Sequence, residues 1–146
     1  MEKKYRLTEE TKEWRGHILH RIEALKDFGC IKAGAKGGWV EQNGNLNHDG
    51  DAWVYGDAKV YGNAEVYDNA KVYGNADYIV FKNWWSSGRY FTWTRSNNKW
   101  KVGCFYGTGE ELIKKAYADS EKSGREYERI VKYVESILAD EEKNKE

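Results

Sequence analysis

The sequence predicts a mixed α+β fold. A short stack of β-strands wound from six-residue repeats is flanked by an N-terminal β unit and by a C-terminal β-hairpin plus two α-helices. Three observations predict it: apolar residues return every sixth position between Gly50 and Asp77, an aromatic-rich stretch alternates between Arg89 and Tyr106, and three-and-four apolar spacing follows Thr108. A chain of 146 residues, 40% of them hydrophobic, suits one compact unit, divided here into residues 1–39, 40–81 and 82–146. Seven Trp, eleven Tyr and four Phe supply apolar area that a solvated coil of 33% charge would lack. No run approaches the roughly 18 apolar residues of a membrane span, and the N-terminus lacks the apolar stretch of a signal peptide. A soluble cytoplasmic protein with no membrane partner is therefore expected. Cys30 and Cys104 lie far apart without a CxxC pair, so both are expected to be reduced, with neither a disulfide nor a zinc knuckle.

Residues 1–39 read as mainly extended. Tyr5–Thr8 and Ile18–Leu25 form strands, the second with Ile18, Ile22 and Ala24 on one face, and Cys30–Val40 enters the next unit through a flexible Gly-rich bend. From Gly50 the chain reads GDAWVY, GDAKVY, GNAEVY, DNAKVY, GNAD. Ala recurs at 52, 58, 64, 70 and 76, with Leu46 and Val40 extending that column upstream. Val recurs at 54, 60, 66 and 72, with Tyr78 continuing it. A six-residue step smears apolar groups around an α-helix, whereas residues two apart on a strand share a face. Each hexapeptide is therefore one short strand and one corner, the corner supplied by Gly, Asp and Asn, which tolerate positive φ.

V-Y-G-D-A-K and V-Y-G-N-A-E resemble the hexapeptide-repeat family of left-handed parallel β-helices. The resemblance implies left-handed winding, a triangular cross-section and three hexapeptides per turn, so about 40 residues make two to two and a half turns. Alternation points Tyr55, Tyr61, Tyr67 and Tyr73 outward as an exposed column, which suits self-association into a dimer or trimer, cover by flanking elements, or a foreign partner.

So short a coil needs caps at its open ends. Arg89–Tyr106 reads as a hairpin turning at Asn97-Asn98, with Trp93 facing Val102, Phe91 facing Cys104 and Arg95 opposite Trp100. Phe91, Trp93, Val102 and Cys104 then form the core stripe. Thr108–Glu111 and Ser123–Glu126 each read as a capping box opening an amphipathic helix, and the charged end from Asp140 onward is expected to fray.

The net charge is zero, yet residues 1–39 carry +3, residues 40–81 carry −5, residues 82–106 carry +5 and residues 107–146 carry −3. The positive segment mixes Lys82, Arg89, Arg95, Lys99 and Lys101 with Trp84, Trp85, Tyr90, Trp93 and Trp100. Cations beside aromatic faces suit a nucleotide or single-stranded nucleic acid; alternating strands would instead bury the rings and leave the cations solvated.

Many members of the resembled family are acyltransferases, which implies a general-base His and a loop for the acyl donor. His48 alone lies in the repeat region, and no long excursion interrupts the hexapeptides. A zinc site like that of hexapeptide carbonic anhydrases needs several His, and His17 and His20, three apart on a strand, point to opposite faces. Gly34–Gly38 lacks the spacing of a P-loop, which leaves at most an anion nest at Lys36. No catalytic residue, metal or cofactor is therefore assigned.

The whole layout resembles small hexapeptide-repeat proteins of phages and prophages. That resemblance implies a non-enzymatic accessory protein in the bacterial host cytoplasm that binds and blocks a host protein or ribonucleoprotein, such as an antiviral CRISPR effector. The candidate binding residues are Tyr55, Tyr61, Tyr67, Tyr73, Trp84, Trp85, Arg89, Arg95, Trp100 and Lys101. The alternatives are a nucleotide-sequestering pocket at Arg89 or Arg95 and a reduced acyltransferase.

Overall fold

A computed structural model describes residues 3–144. The chain forms β1 (Tyr5–Trp14), β2 (His17–Ala24), β3 (Lys36–Val40), β4 (Trp53–Val54), β5 (Lys59–Val60), β6 (Lys71–Val72), β7 (Tyr78–Lys82), β8 (Tyr90–Thr94), β9 (Lys99–Val102), β10 (Phe105–Gly107), α1 (Gly109–Asp119) and α2 (Glu121–Lys143). Mixed sheets and two helices make the fold mixed α+β. Among the described residues, parallel pairing is confined to short ladders: β3 with β5, β4 with β6, and a bridge from Leu46 to Val66.

These ladders show how the six-residue period is used. Val54 pairs with Val72 after 18 residues, but Val40 pairs with Val60 and Leu46 with Val66 after 20. Val40 and Leu46 therefore belong to the Val column and not, as the spacing suggests, to the Ala column. Two additional residues lie between Leu46 and Val54, where Gly50 turns at φ +77°. Ala52, Ala58, Ala64 and Ala70 join the Val residues in one buried core with Tyr5, Ile22 and Trp53. Ala76 departs from the expectation: it is exposed in a short 3-10 turn, Asn75–Asp77, that ends the repeat. Tyr78 then opens β7, pairing with Thr94 while packing on the same core.

The N-terminal unit closes the first edge of the coil. β1 and β2 form an antiparallel hairpin through Arg15 and Gly16, both at positive φ, and β2 pairs antiparallel with β3. From Lys36 the Gly-rich entry is thus a strand, and turns precede it, with Gly34 at φ +89°. A Cβ on Gly37 would lie 2.7 Å from both Ile22 and Trp53, and one on Gly38 would lie 2.7 Å from the Ala58 carbonyl, so these glycines permit close packing. An irregularity in the β1–β2 register exposes Ile18 and buries Leu19, in contrast to the regular alternation expected. Lys4 is fully buried, its Nζ donating to the carbonyls of Ala52 (2.7 Å) and Gly50 (3.3 Å). Tyr5 donates to the Leu46 carbonyl at 2.6 Å. Strand and side chains together satisfy backbone acceptors that an open end would leave to water.

The C-terminal unit is a four-stranded antiparallel sheet in the order β10-β9-β8-β7 with both helices packed on it. Its hairpin corrects the expected register by two residues. Thr94 pairs with Lys99 across a four-residue turn, so Trp93 faces Trp100 and Phe91 faces Val102. Trp100 takes the core position assigned to Cys104, which is exposed. Asn98, at φ +49°, accepts from the Trp93 indole at 2.7 Å, and Asn97 accepts from the Thr94 hydroxyl at 2.7 Å; both Asn stabilise the wider turn. Thr108 caps α1 with the expected box. The second box is not used: Ser120 ends α1 and caps α2, leaving Ser123 inside a helix that continues to Lys143 without fraying at Asp140.

Candidate functional site

Segregated charge in the sequence becomes an internal joint. Lys101 reaches Glu65 (3.4 Å) and Lys99 reaches Asp68 (3.9 Å), tying the positive hairpin to the negative repeat. Arg95 donates to the Ala76 carbonyl (2.9 Å) and to Glu141 (2.5 Å), with Asp77 3.9 Å away. The hydroxyl of Thr92 accepts from the Glu65 amide and that of Ser96 from the Lys71 amide, at 2.9 and 2.7 Å. Arg95 and Lys101 thus hold the C-terminal sheet on the repeat. Trp100 is 1% exposed and has no surface to offer a partner.

The four repeat tyrosines do not form one column. The β4–β6 ladder aligns residues 18 apart, so Tyr55 lies on Tyr73 at 4.6 Å, while Tyr61 and Tyr67 meet other neighbours. Tyr61 lies against His17 at 4.7 Å. Tyr67 lies beneath the Lys101 ammonium, 4.6 Å from the ring centre, and near Tyr106. Flanking elements partly cover Tyr61 and Tyr67, leaving both half-buried, and of the four only Tyr73, at 59%, is strongly exposed.

What remains outward is the segment from Lys82 to Arg89. Asn83, 2% exposed, organises it: its side-chain oxygen accepts from the amides of Trp85 (3.0 Å) and Ser86 (2.9 Å), and its NH2 donates to the hydroxyls of Ser86 (3.1 Å) and Ser87 (3.0 Å). The Asn83 amide donates to the Arg89 carbonyl at 2.8 Å, closing the loop. Trp85 points inward against Tyr127 and donates to Ser123. Trp84 points outward, 69% exposed, with the Lys122 ammonium 5.4 Å from its ring. Lys82 and Arg89 are exposed and make no ion pair among the described residues. Of the expected contact residues, Trp84 and Trp85 meet edge to face at 5.8 Å, while Arg89 closes the same loop through its carbonyl with its side chain lying beside Gly103. Sequence reasoning missed Asn83 and Lys122. Asn followed by paired Ser is a local turn signal that could have found the first; helix packing alone places the second.

His48 is held in place by its surroundings. Its Nδ1 accepts the Lys4 amide at 3.1 Å, so its Nε2 carries the proton in the neutral ring, 3.3 Å from the Asn43 side-chain oxygen. Its ring stacks on Tyr5 at 4.1 Å, and burial, with the charges of Lys4 and Lys3, lowers its pKa. Among the described residues no three His, Cys, Asp or Glu side chains converge to hold a metal, and no helix is long and apolar enough to cross a membrane.

No family model matches the chain. It is similar to an uncharacterized acetyltransferase, YdcK, of Escherichia coli (strain K12), with 33% identity over 61 aligned residues covering 36% of this chain. The match spans 19% of that relative's length. This similarity is compatible with a hexapeptide-repeat relationship.

Proposed function

We propose that the protein is a binding protein whose contact centre is the Asn83–Arg89 loop, with Trp84 as anchor and Lys82, Arg89 and Lys122 as surrounding charge. In this reading it occludes an acidic surface of a bacterial host protein or ribonucleoprotein. The observation that supports it is Trp84, 69% exposed on a loop that Asn83 fixes from within. An exposed indole is unfavourable in water, and a preformed loop loses little entropy on binding; together these are properties of an interface anchor. Arg95, Lys99 and Lys101 have acidic partners inside the molecule, which leaves Lys122 beside Trp84, and Lys82 and Arg89 at the two ends of the loop, for an external anion. The host target, the blocking step and a phage origin rest on the resemblance of layout to small phage accessory proteins. The same reading takes the parallel ladders as two turns of a left-handed β-helix acting as a rigid spacer. It places the protein in the host cytoplasm, with the Tyr55–Tyr73 stack as the contact between copies.

Acyl transfer is the second reading, favoured by the named activity of the E. coli relative. His48 does not suit a general base, because its acceptor nitrogen is already bonded to Lys4. This reading takes His17 as the base, because it lines an open groove with Nδ1 bonded to Glu41 and Nε2 left to accept a proton.

Affinity capture from a bacterial lysate with the wild-type chain and Trp84→Ala separates these readings. The expected result is one protein or ribonucleoprotein retained by the wild type and reduced about tenfold or more by Trp84→Ala, the loss of a single anchor worth about 1.4 kcal/mol or more. Undiminished capture by Trp84→Ala would overturn the assignment of the contact centre. Acetyl-CoA turnover abolished by His17→Ala would replace the binding reading with the enzymatic one.

A further inference from the structure

An open groove of about 460 Å³ lies where the tip of the β1–β2 hairpin meets the coil and the start of β7. Arg15, His17, Tyr61, Asn63, Asn75 and Tyr78 supply its polar and aromatic walls, and no carboxylate is among its lining residues. His17 is fixed in direction. Its Nδ1 lies 2.9 Å from Glu41, and because a carboxylate can only accept, Nδ1 donates. The other Glu41 oxygen accepts the Gly62 amide at 2.8 Å, and these bonds from His17 and Gly62 hold the Glu41 carboxyl below its ordinary pKa. Nε2 of His17 has no hydrogen-bond partner among the described residues. Arg15 sits at φ +48° in the hairpin turn, its guanidinium 5.1 Å from the Trp14 ring centre, and makes no ion pair among the described residues.

We propose that this groove binds a nucleoside monophosphate, with Arg15 and His17 facing the phosphate, the Tyr61 ring supporting the base, and the amides of Asn63 and Asn75 bonding base edges or ribose hydroxyls. Arg15 brings a positive charge that no carboxylate pairs among the described residues, and His17, held by Glu41 through Nδ1, keeps Nε2 as a second donor when the ring is protonated; together they favour an anion. Carboxamides donate and accept at once, which matches base edges and hydroxyls better than a bare oxyanion. The Tyr61 face supplies the stacking surface a heterocycle requires. A groove of this volume is also larger than inorganic phosphate would fill. The site is separate from the Trp84 loop and does not depend on the function assigned to that loop. It also differs from a nucleotide pocket built on Arg95, whose guanidinium is bonded to Glu141.

Calorimetric titration with AMP, GMP, CMP and UMP tests the proposal, with the matching nucleosides and inorganic phosphate as controls. At least one nucleotide should saturate a single site per chain, and its nucleoside should bind about tenfold or more weakly, since the phosphate would be missing. Arg15→Asn keeps a residue that accepts the left-handed turn, and His17→Gln keeps a donor toward Glu41. Each should weaken nucleotide binding about tenfold with an unchanged thermal midpoint. Absence of saturable binding by all four nucleotides, equal binding of nucleoside and nucleotide, or wild-type affinity in both variants would overturn the assignment.

Discussion

The backbone of Gly56 turns at φ +55° with no atom within 4 Å of the place a Cβ would occupy, so replacing it isolates conformational strain. Gly56→Ala should cost about 1 kcal/mol, the penalty of holding an L-residue in the left-handed region. Gly50 adds a close approach, because its Cβ would lie 2.5 Å from the Asp68 carbonyl oxygen. Gly50→Ala should therefore cost about 2 kcal/mol or more, as strain and overpacking combine. Urea unfolding of the two variants checks the ranking; equal losses would mean that the Gly50–Asp68 approach relaxes freely. Asp68 turns at φ +62° in the same role, showing that the repeat can use a short polar residue where it lacks Gly.

Among the elements, the junction of α1 and α2 is the most exacting. Ser120 is shared: its amide donates to Ala116 at the end of α1, and its hydroxyl accepts from the Ser123 amide at the start of α2. Four residues on, Gly124 lies against Tyr117, and a Cβ there would sit 2.1 Å from the ring. Ala is the better helix former by about 1 kcal/mol, yet the clash should cost about 1–3 kcal/mol. Gly124→Ala is thus expected to lower stability in a thermal melt, and an increase would show that helix propensity outweighs this contact. Ser120→Ala should lose about 1 kcal/mol through the missing cap.

Across the whole molecule, buried titratable groups set the pH range of stability. Burial holds Lys4 down to about 8 from its ordinary 10.5, against the smaller opposing pull of Asp51. The unfolded chain therefore binds more protons between about pH 8 and 10.5, and stability from this group rises across that interval. Burial pushes Tyr78 and Tyr106 up to about 12 and raises Tyr5 as well. Stability from these groups is complete below pH 10, the ordinary tyrosine value, and is lost as pH climbs toward 12. On the acid side, Glu41 is lowered by its bonds to His17 and Gly62, so its contribution falls away below the ordinary carboxylate value. The urea midpoint should increase from pH 7.5 to 9.5 and decline above 10. Lys4→Met should remove the alkaline increase; its persistence would assign the increase to another group.

The six-residue spacing by itself determined that residues 52–72 form short strands and tight corners, because small and branched apolar groups returning on that period cannot occupy one face of a helix. Local chemistry likewise determined the α1 cap at Thr108 and the inward stripe of Phe91, Trp93 and Val102. Tertiary structure alone decided the two additional residues before Val54, the four-residue hairpin turn and the choice of Ser120 over Ser123 as cap. Each depends on a distant backbone or side chain that must fit against it. It also decided the candidate site. Sequence placed cations and rings together between Lys82 and Tyr106, but packing against the acidic repeat engaged Lys101, packing of the two helices engaged Arg95 through Glu141 and buried Trp100, and Trp84 was left in water. Which charges find partners is a long-range property of the fold, and a sum over neighbouring residues does not contain it.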